Sequence, residues 1–567
     1  MADLVIGARR AGVPRPWRAG VIALGMLGVA ITVAWFIYRR TVAYEMPDGS
    51  VEGSITSVQS APGAQPSLVY GASALSWTGG IAVLRVKGDA HAQGAAHGRL
   101  LAPWLPAVLS AARPSITNTV GREGLIGGRT HGMRLAWRWR FIDDGMSDPD
   151  RRIIAGMTRG AEASGVDVSF DELLRTQAVL DVGVPSPRTD EAEHKSLAQS
   201  LTIIGKQATA PARVWIGRTL ALPGLDDGGD AERPVVTISH SEGKVAWAGV
   251  AWPGMTGVVT GINAHGIALM VDPARTADVR PTRTARPIAQ LARTVLESAT
   301  TLDEAIKLIE GTLTLGTAVI IVVDGTSGNW VQIERTPSKA ITERNPRSPA
   351  FGDVLTTHAL SSDPENDRAR RMLPTQARVE RAAKLLRAPL PDVTAMAAVL
   401  RDQRGVDDAP RPSGHRGTID DGRAVQTVIL DPSSLELWVA DPTANGRMRA
   451  FDLRHELRKE GDRPAPPADV LPDPAADPER TGNLVAARAW LREARGALVD
   501  GQLGRAAEAC ARARVRAPEL PEALELEAMI ELARGNTSAA RKAFEAWLEH
   551  GSDDPKGEER ARAVLAR

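Results

Sequence analysis

The sequence predicts an α+β protein. Helices flank a layered set of antiparallel strands, one membrane-crossing helix precedes that body, and a small all-α repeat region follows it. Three observations lead to this fold class. Residues 19–38 form an uncharged run of twenty. From Trp77 to Ala440, short aliphatic and β-branched runs are interspersed with helical-period stretches. After residue 482, matching small and large residues recur at a spacing of 34.

Composition limits the function classes. With 567 residues, 43% apolar and 24% charged, the chain can fold around cores in about three or four units. A net charge of +1 gives no basic face for nucleic acid. The single cysteine, Cys510, excludes an intrachain disulfide and fits a periplasmic or a cytosolic setting. The ten histidines are scattered, without a His-Glu-x-x-His motif or cysteine pairs, so no metal site is expected. No Walker-type loop appears, and no cofactor is expected. Ser241-Glu242-Gly243-Lys244 matches Ser-x-x-Lys but lacks the companion Lys-Thr-Gly and Ser-Asp-Asn motifs.

Taken in order, residues 1–18 read as a cytoplasmic tail and 19–38 as a transmembrane anchor. Twenty helical residues rise about 30 Å, the thickness of a bilayer core. Arg9, Arg10, Arg15 and Arg18 precede the run, and only Arg39 and Arg40 follow it directly, so the N-terminus is expected in the cytoplasm. A cleaved signal peptide is the alternative. That places the protein in a bacterial inner membrane, single-pass, with its bulk periplasmic or extracellular. Residues 39–75, rich in Gly, Ser, Pro and Gln, read as an extended tether.

The body is expected over 76–458. Gly80–Val86 alternates as a strand, Gly94–Leu100 leads into a helix, and Ile153–Gly165 with Phe170–Leu174 reads as paired helices. His97 and His265, each beside a glycine, read as turn or surface residues. Further strands are expected at 245–250, 257–263, 266–272, 318–323, 330–334, 426–430 and 435–440, and helices at 287–311 and 365–402. A Pro- and charge-rich linker spans 459–482. In 483–567, Gly501, Ala506 and Ala513 recur as Gly535, Ala540 and Trp547, and Trp490 stands at a tryptophan position of tetratricopeptide repeats. Such helical hairpins offer a concave face to a protein or peptide partner. Cys510 falls at a packing position and reads as core.

The central stretch is Gln199–Lys206 with Val214–Thr219. Leu201, Ile203, Val214 and Ile216 make two strands, and Pro211 lies in the break between them. A hydroxyl, Ser200, opens the first strand and Arg218 closes the second. The pattern fits an ordinary core hairpin, and it also fits a site where the first residue of a buried strand attacks a carbonyl.

Residues from about 77 to 458 resemble the acyl-coenzyme A:6-aminopenicillanic acid acyltransferase family and its wider N-terminal-nucleophile relatives. The resemblance rests on Gly94 to Gly98, Ile154 to Gly165, Ser200 to Thr219, Trp252-Pro253-Gly254 and Thr260-Gly261-Ile262-Asn263. It continues through Arg286-Pro287, Thr301 to Ala305, Thr356-Thr357-His358 and Thr427 to Ala440, in family order. It implies a four-layer αββα sandwich and, after self-cleavage between Gln199 and Ser200, a free amine serving as base for its own side chain. The family's nucleophile is cysteine; Ser200 stands there, and a hydroxyl depends more on its base than a thiol does.

The resemblance implies further that Arg218 binds the acyl or carboxylate group and that Thr357 or His358 donates to the oxyanion. Asp272 stands where the family carries an asparagine oxyanion donor, and a carboxylate has the wrong sign for that task. The family's Arg-Asn-x-Asp closing motif is Arg218-Thr219-Leu220-Ala221 here. Two readings follow. One is a hydrolase or acyltransferase acting on a small amide or acyl substrate through Ser200. The other is a sandwich that has lost catalysis and binds a partner. Among Arg368, Arg370 and Arg371, a solvated helix face is expected, at a position resembling a family substrate-side arginine.

Overall fold

The computed structural model describes residues 15–59, 65–117, 133, 136–137, 139–182, 199–210, 213–222, 234–274, 285–344, 352–356, 375–458, 466–474 and 476–566. Short β-branched runs bounded by turns become strands of two sheets. In spatial order the first sheet contains β1 (Thr56–Val58), β2 (Ser67–Tyr70), β3 (Ser73–Thr78), β4 (Ile81–Gly88), β7 (Val235–Ser241), β8 (Trp247–Ala251), β9 (Thr260–Asn263), β10 (Ile267–Pro273), β11 (Ala318–Asp324), β12 (Trp330–Arg335) and β13 (Ala340–Arg344). The second runs β14 (Gly352–Thr356), β5 (Gln199–Lys206), β6 (Val214–Ala221), β15 (Gln426–Asp431), β16 (Glu436–Ala440) and β17 (Met448–Asp452). Neighbours pair antiparallel throughout, except for the parallel pair β4–β7.

The two-residue period of a strand sends alternate side chains to opposite faces, and both faces are apolar here. Ile204, Ile216 and Val428 of the second sheet interlock with Ile238, Ile262 and Met270 of the first. On the outer face of the first sheet, α7 (Ile288–Ser298) and α8 (Leu302–Gly311) pack Leu291, Val295 and Ile306 onto Leu269 and Ile320. On the outer face of the second, α9 (Thr375–Leu385) and α10 (Val393–Leu400) pack Ala382 and Met396 onto Leu201 and Ile203. The result is an αββα sandwich.

Two stretches expected as single helical runs are each broken. Thr301 caps α8, its hydroxyl accepting from the Glu304 N–H, and so divides 287–311. Leu390, flanked by Pro389 and Pro391, leaves helical geometry to bridge Gln207, and so divides 375–400.

On the first sheet's β4 side, α2 (Ala90–Leu100) crosses α4 (Asp148–Glu162) through glycines on both helices. A methyl at Gly94 or Gly98 would overlap the Ile153 or Met157 carbonyl, and one at Gly156 or Gly160 the His91 or Ala95 carbonyl. The glycines near His97 therefore serve helix contact and not a turn. His97, expected at the surface, is 5% exposed, and its Nε2 accepts from the Gly254 N–H at 2.9 Å. Burial and the Arg293 charge pull it down to about 4, so it is neutral at pH 7. His265 does lie exposed in the β9–β10 turn.

The N-terminal helix α1 spans Arg15–Val42. Its segment Ile22–Val42 has a mean hydropathy of 1.7 and none of its most apolar window is buried, so it is long and apolar enough to cross a membrane; a signal sequence passes the same test.

The expected tether departs from the reading. Residues 39–75 supply β1, β2 and the start of β3, and the chain directly after α1 is clasped by the body. Val42 and Tyr44 are each 8% exposed, and the Tyr44 ring packs with Leu173 and Leu174 of α5 (Phe170–Thr176). The Tyr44 hydroxyl donates to the Trp139 carbonyl at 2.8 Å, while Arg151 and Arg159 donate to the Glu45 and Pro47 carbonyls at 3.0 and 2.7 Å.

After a short helix, α11 (Leu453–Arg458), five helices close the chain: α12 (Pro478–Val499), α13 (Leu503–Arg516), α14 (Pro521–Ala533), α15 (Thr537–Glu549) and α16 (Pro555–Leu565). Gly501 and Gly535, at φ +71° and +79°, turn α12 into α13 and α14 into α15, which is what the 34-residue repeat encodes. Cys510 is 2% exposed in this core, and burial pushes its thiol up to about 12. The helices dock on the sandwich. Arg416 of the β15-side loop bonds Asp553 through Nε and a terminal nitrogen, both at 2.8 Å, and reaches Glu525 at 3.2 Å. The expected linker is also partly engaged: Val470 bridges Met448, and the Trp438 ring N–H donates to the Ala468 carbonyl at 2.9 Å.

Candidate functional site

Alternation along β5 places Ser200 and Thr202 on the face of Ile204, toward the first sheet, whereas Leu201 and Ile203 face α9 and α10. The β5–β6 register sets Thr202 opposite Arg218, so the cation lies beside both hydroxyls. On β10 the same rule sends Asp272 inward, two residues beyond Met270. Ser200, Thr202, Arg218 and Asp272 thus converge between the sheets.

Ser200 Oγ donates to Asp272 Oδ1 at 2.7 Å, and Thr202 Oγ1 donates to Asp272 Oδ2 at 2.9 Å. Arg218 reaches Asp272 Oδ1 at 2.8 Å, with both side chains fully buried. Its guanidinium also donates to the Val259 and Val271 carbonyls, and to Thr260 Oγ1 at 2.6 Å. Thr260 in turn donates to Gln426 Oε1 of β15 at 2.8 Å. Burial pulls the Arg218 pKa below its ordinary value, and the Asp272 charge opposes that shift. A buried ion pair persists when its remaining donors find acceptors; main-chain carbonyls take up the terminal nitrogens of Arg218, and its Nε alone is left without a partner among the described residues.

Of the residues singled out in the sequence, Ser200, Arg218 and Asp272 come together. Thr357 and His358 lie outside the described residues, as do Arg368, Arg370 and Arg371. The expected role of Arg218 as a substrate carboxylate clamp needs correction. It is 0% exposed and its terminal nitrogens are committed to Asp272, Thr260 and two carbonyls, so it positions Asp272. Asp272 is likewise an acceptor for three donors and not an oxyanion donor. Thr202, Thr260 and Gln426 were missed. Thr202 was findable, since it stands two residues beyond Ser200 and so shares its face. Thr260 and Gln426 carry no local signal. Among the described residues, no group of three or more His, Cys, Asp or Glu is placed to hold a metal.

The arrangement can hold a serine hydroxyl with its proton directed at a carboxylate, in a site shielded from water, near the start of β5. Ser200 is 1% exposed.

A family model for acyl-coenzyme A:6-aminopenicillanic acid acyl-transferase matches residues 236–439. The match includes Asp272 and Gln426 and begins after Ser200 and Arg218. No curated protein matches the chain. Solved structures similar to it include a Caenorhabditis elegans ortholog of N-acylethanolamine-hydrolyzing acid amidase, at 17% identity and TM-score 0.30, covering 41% of this chain and 93% of that one. A mutant conjugated bile acid hydrolase from Clostridium perfringens gives 11% identity and TM-score 0.27, covering 46% of this chain and 93% of its own. A second variant of that hydrolase gives 11% and 0.28, covering 49% and 100%.

Proposed function

We propose that the sandwich is an amide-bond hydrolase or acyltransferase of the N-terminal-nucleophile type, with Ser200 as its nucleophile. The observation that supports this reading is the Ser200 hydroxyl, at the head of an inward-facing strand, hydrogen-bonded to a carboxylate that Arg218 holds in place.

In the self-processing step, Ser200 Oγ attacks the Gln199 carbonyl carbon. The C–N bond breaks, the nitrogen keeps the electron pair and takes up a proton, and an ester joins Gln199 to Ser200 Oγ. Water then hydrolyses the ester, leaving a carboxylate on Gln199 and a free amine on Ser200. That amine, with a pKa near ~8, takes the Oγ proton in later turnovers. A substrate amide then gives its acyl group to Oγ and releases its amine, and water or an acceptor amine removes the acyl group. Asp272 fixes the hydroxyl rotamer and Arg218 fixes Asp272. The body stands outside the cytoplasm on α1, and the tetratricopeptide-like helices α12–α16 present a face to a peptide partner.

The second reading is a sandwich without catalysis that serves as a binding body. Its support is Asp272, a carboxylate where an oxyanion needs a donor. Intact-mass measurement of the full chain and of Ser200→Ala separates the two. Fragments dividing between Gln199 and Ser200 in the wild type, absent in Ser200→Ala, support the enzyme. One uncut chain together with no hydrolysis of small amides supports the binding body.

A further inference from the structure

At the point where α1 leaves its apolar run, the body contributes a cationic notch. It has a volume of about 670 Å³, and its walls include Phe36, Arg39 and Arg40 of α1 and Asp171 and Arg175 of α5. Three guanidinium groups face one carboxylate, so the notch is net positive. Asp171 is already engaged, at 3.5 Å from Arg175 and 3.3 Å from the Tyr44 N–H. Arg175 stacks over the Tyr44 ring at 5.2 Å, and one terminal nitrogen lies 3.4 Å from the Val42 carbonyl. Arg39 and Arg40 are exposed, and neither forms an ion pair with a described residue. Cations with unspent donors around a concave wall bind phosphate-type oxygens.

The surroundings fix the source of those oxygens. Trp35, Tyr38 and Trp137 stack in sequence, at 5.7 and 6.4 Å between ring centres. Tyr38 Oη donates to the Met133 carbonyl at 2.8 Å, which ties that ladder to the body. Arg140 covers the Trp137 and Phe141 rings at 4.2 and 4.1 Å, and Trp137 is 45% exposed. Aromatic rings interleaved with arginines are the side chains that settle at headgroup depth. Phe36, 65% exposed, stands one helical turn toward the apolar run, where an acyl chain would lie. Because Val42 and Tyr44 are buried in the body, the α1 wall and the α5 wall of the notch are held together.

We propose that this notch binds the headgroup of an anionic phospholipid, with Arg39, Arg40 and Arg175 on the phosphate, and so holds the sandwich flush against the membrane. The inference rests on α1 being a retained membrane anchor.

The test uses the full chain and Arg39→Gln/Arg40→Gln, each incorporated into vesicles of phosphatidylcholine alone or with phosphatidylglycerol. Two measurements are made: flotation after carbonate washing, and the lipid retained by the detergent-extracted protein in native mass spectrometry. The wild type is expected to float with both vesicle types and to retain phosphatidylglycerol over phosphatidylcholine by about tenfold or more. The double variant is expected to float equally well and to lose that preference. Flotation without a headgroup preference overturns the notch proposal and leaves the anchor standing. Absence of flotation overturns both. Displacement of the retained lipid by millimolar inorganic phosphate alone assigns the site to a soluble phosphate compound and overturns the lipid assignment.

Discussion

Replacing Arg218 and Asp272 separately and together measures what the buried pair contributes. Arg218→Met leaves Asp272 as a fully buried anion with only the Ser200 and Thr202 hydroxyls as donors. Breaking such a pair from one side costs about 3–5 kcal/mol. Asp272→Leu leaves the Arg218 charge uncompensated, though still bonded to the Val259 and Val271 carbonyls, and falls in the same range of about 3–5 kcal/mol. The double replacement removes both charges. What remains is two hydroxyls without their acceptor, each costing about 1–3 kcal/mol. The double variant should therefore be about as stable as either single variant, so the coupling energy equals one single effect in magnitude, about 3–5 kcal/mol. Hydrogen exchange of the β5, β6 and β10 amides in the full chain reads this, since those strands carry the pair. Single effects that simply add, within about 0.5 kcal/mol, would refute the claim that this pair joins the two sheets.

Two further outcomes follow from buried charge. His97 has a folded pKa of about 4 against an ordinary 6.5, so the unfolded chain takes up a proton in that window and the fold does not. Stability present above pH 6.5 should fall by up to about 3 kcal/mol as pH drops toward 4. In thermal melts across that range His97→Gln should show a shallower loss, and parallel curves would count against the assignment. Arg416→Met leaves Asp553 buried without its cation, while Glu525 keeps Arg560 at 4.0 Å, at a cost of about 3–5 kcal/mol. Limited proteolysis should then cut residues 466–477 much faster than in the wild type; an unchanged rate would mean that this pair does not hold the terminal helices to the sandwich.

Much of the sandwich was legible because its strands are strongly patterned. The β5–β6 hairpin announces itself by aliphatic alternation around Pro211, and the same alternation puts Ser200 and Arg218 at one end of it. The meeting with Asp272 was not legible from spacing, since the two residues lie 72 positions apart on different sheets. Only the family resemblance suggested it. The role of Arg218 was misjudged for a related reason: the two carbonyls that engage it come from β9–β10 geometry, which no side chain reports. The stretch 39–75 misled because Gly, Ser and Pro mark loops, while β1 is a short exposed edge strand and β2, beside it, is short and half-buried throughout, without clear alternation. Tyr44 stands with only Tyr70 as a fellow aromatic in that polar text, and nothing local says that it is buried. The glycines around His97 were read as turn residues because helix–helix contact through bare backbone depends on a partner helix some sixty residues away, α4.

The glycine crossing of α2 and α4 has a mechanical consequence. With main chain against main chain, there is no side-chain cushion to absorb displacement. Through Arg151 and Arg159, α4 grips the strand of chain emerging from α1, and α2 lies against β4 at the heart of the larger sheet. A lateral pull on α1 is therefore delivered to the sheet as rigid-body load, and the sandwich tilts with its N-terminal helix like a mast stepped in a keel.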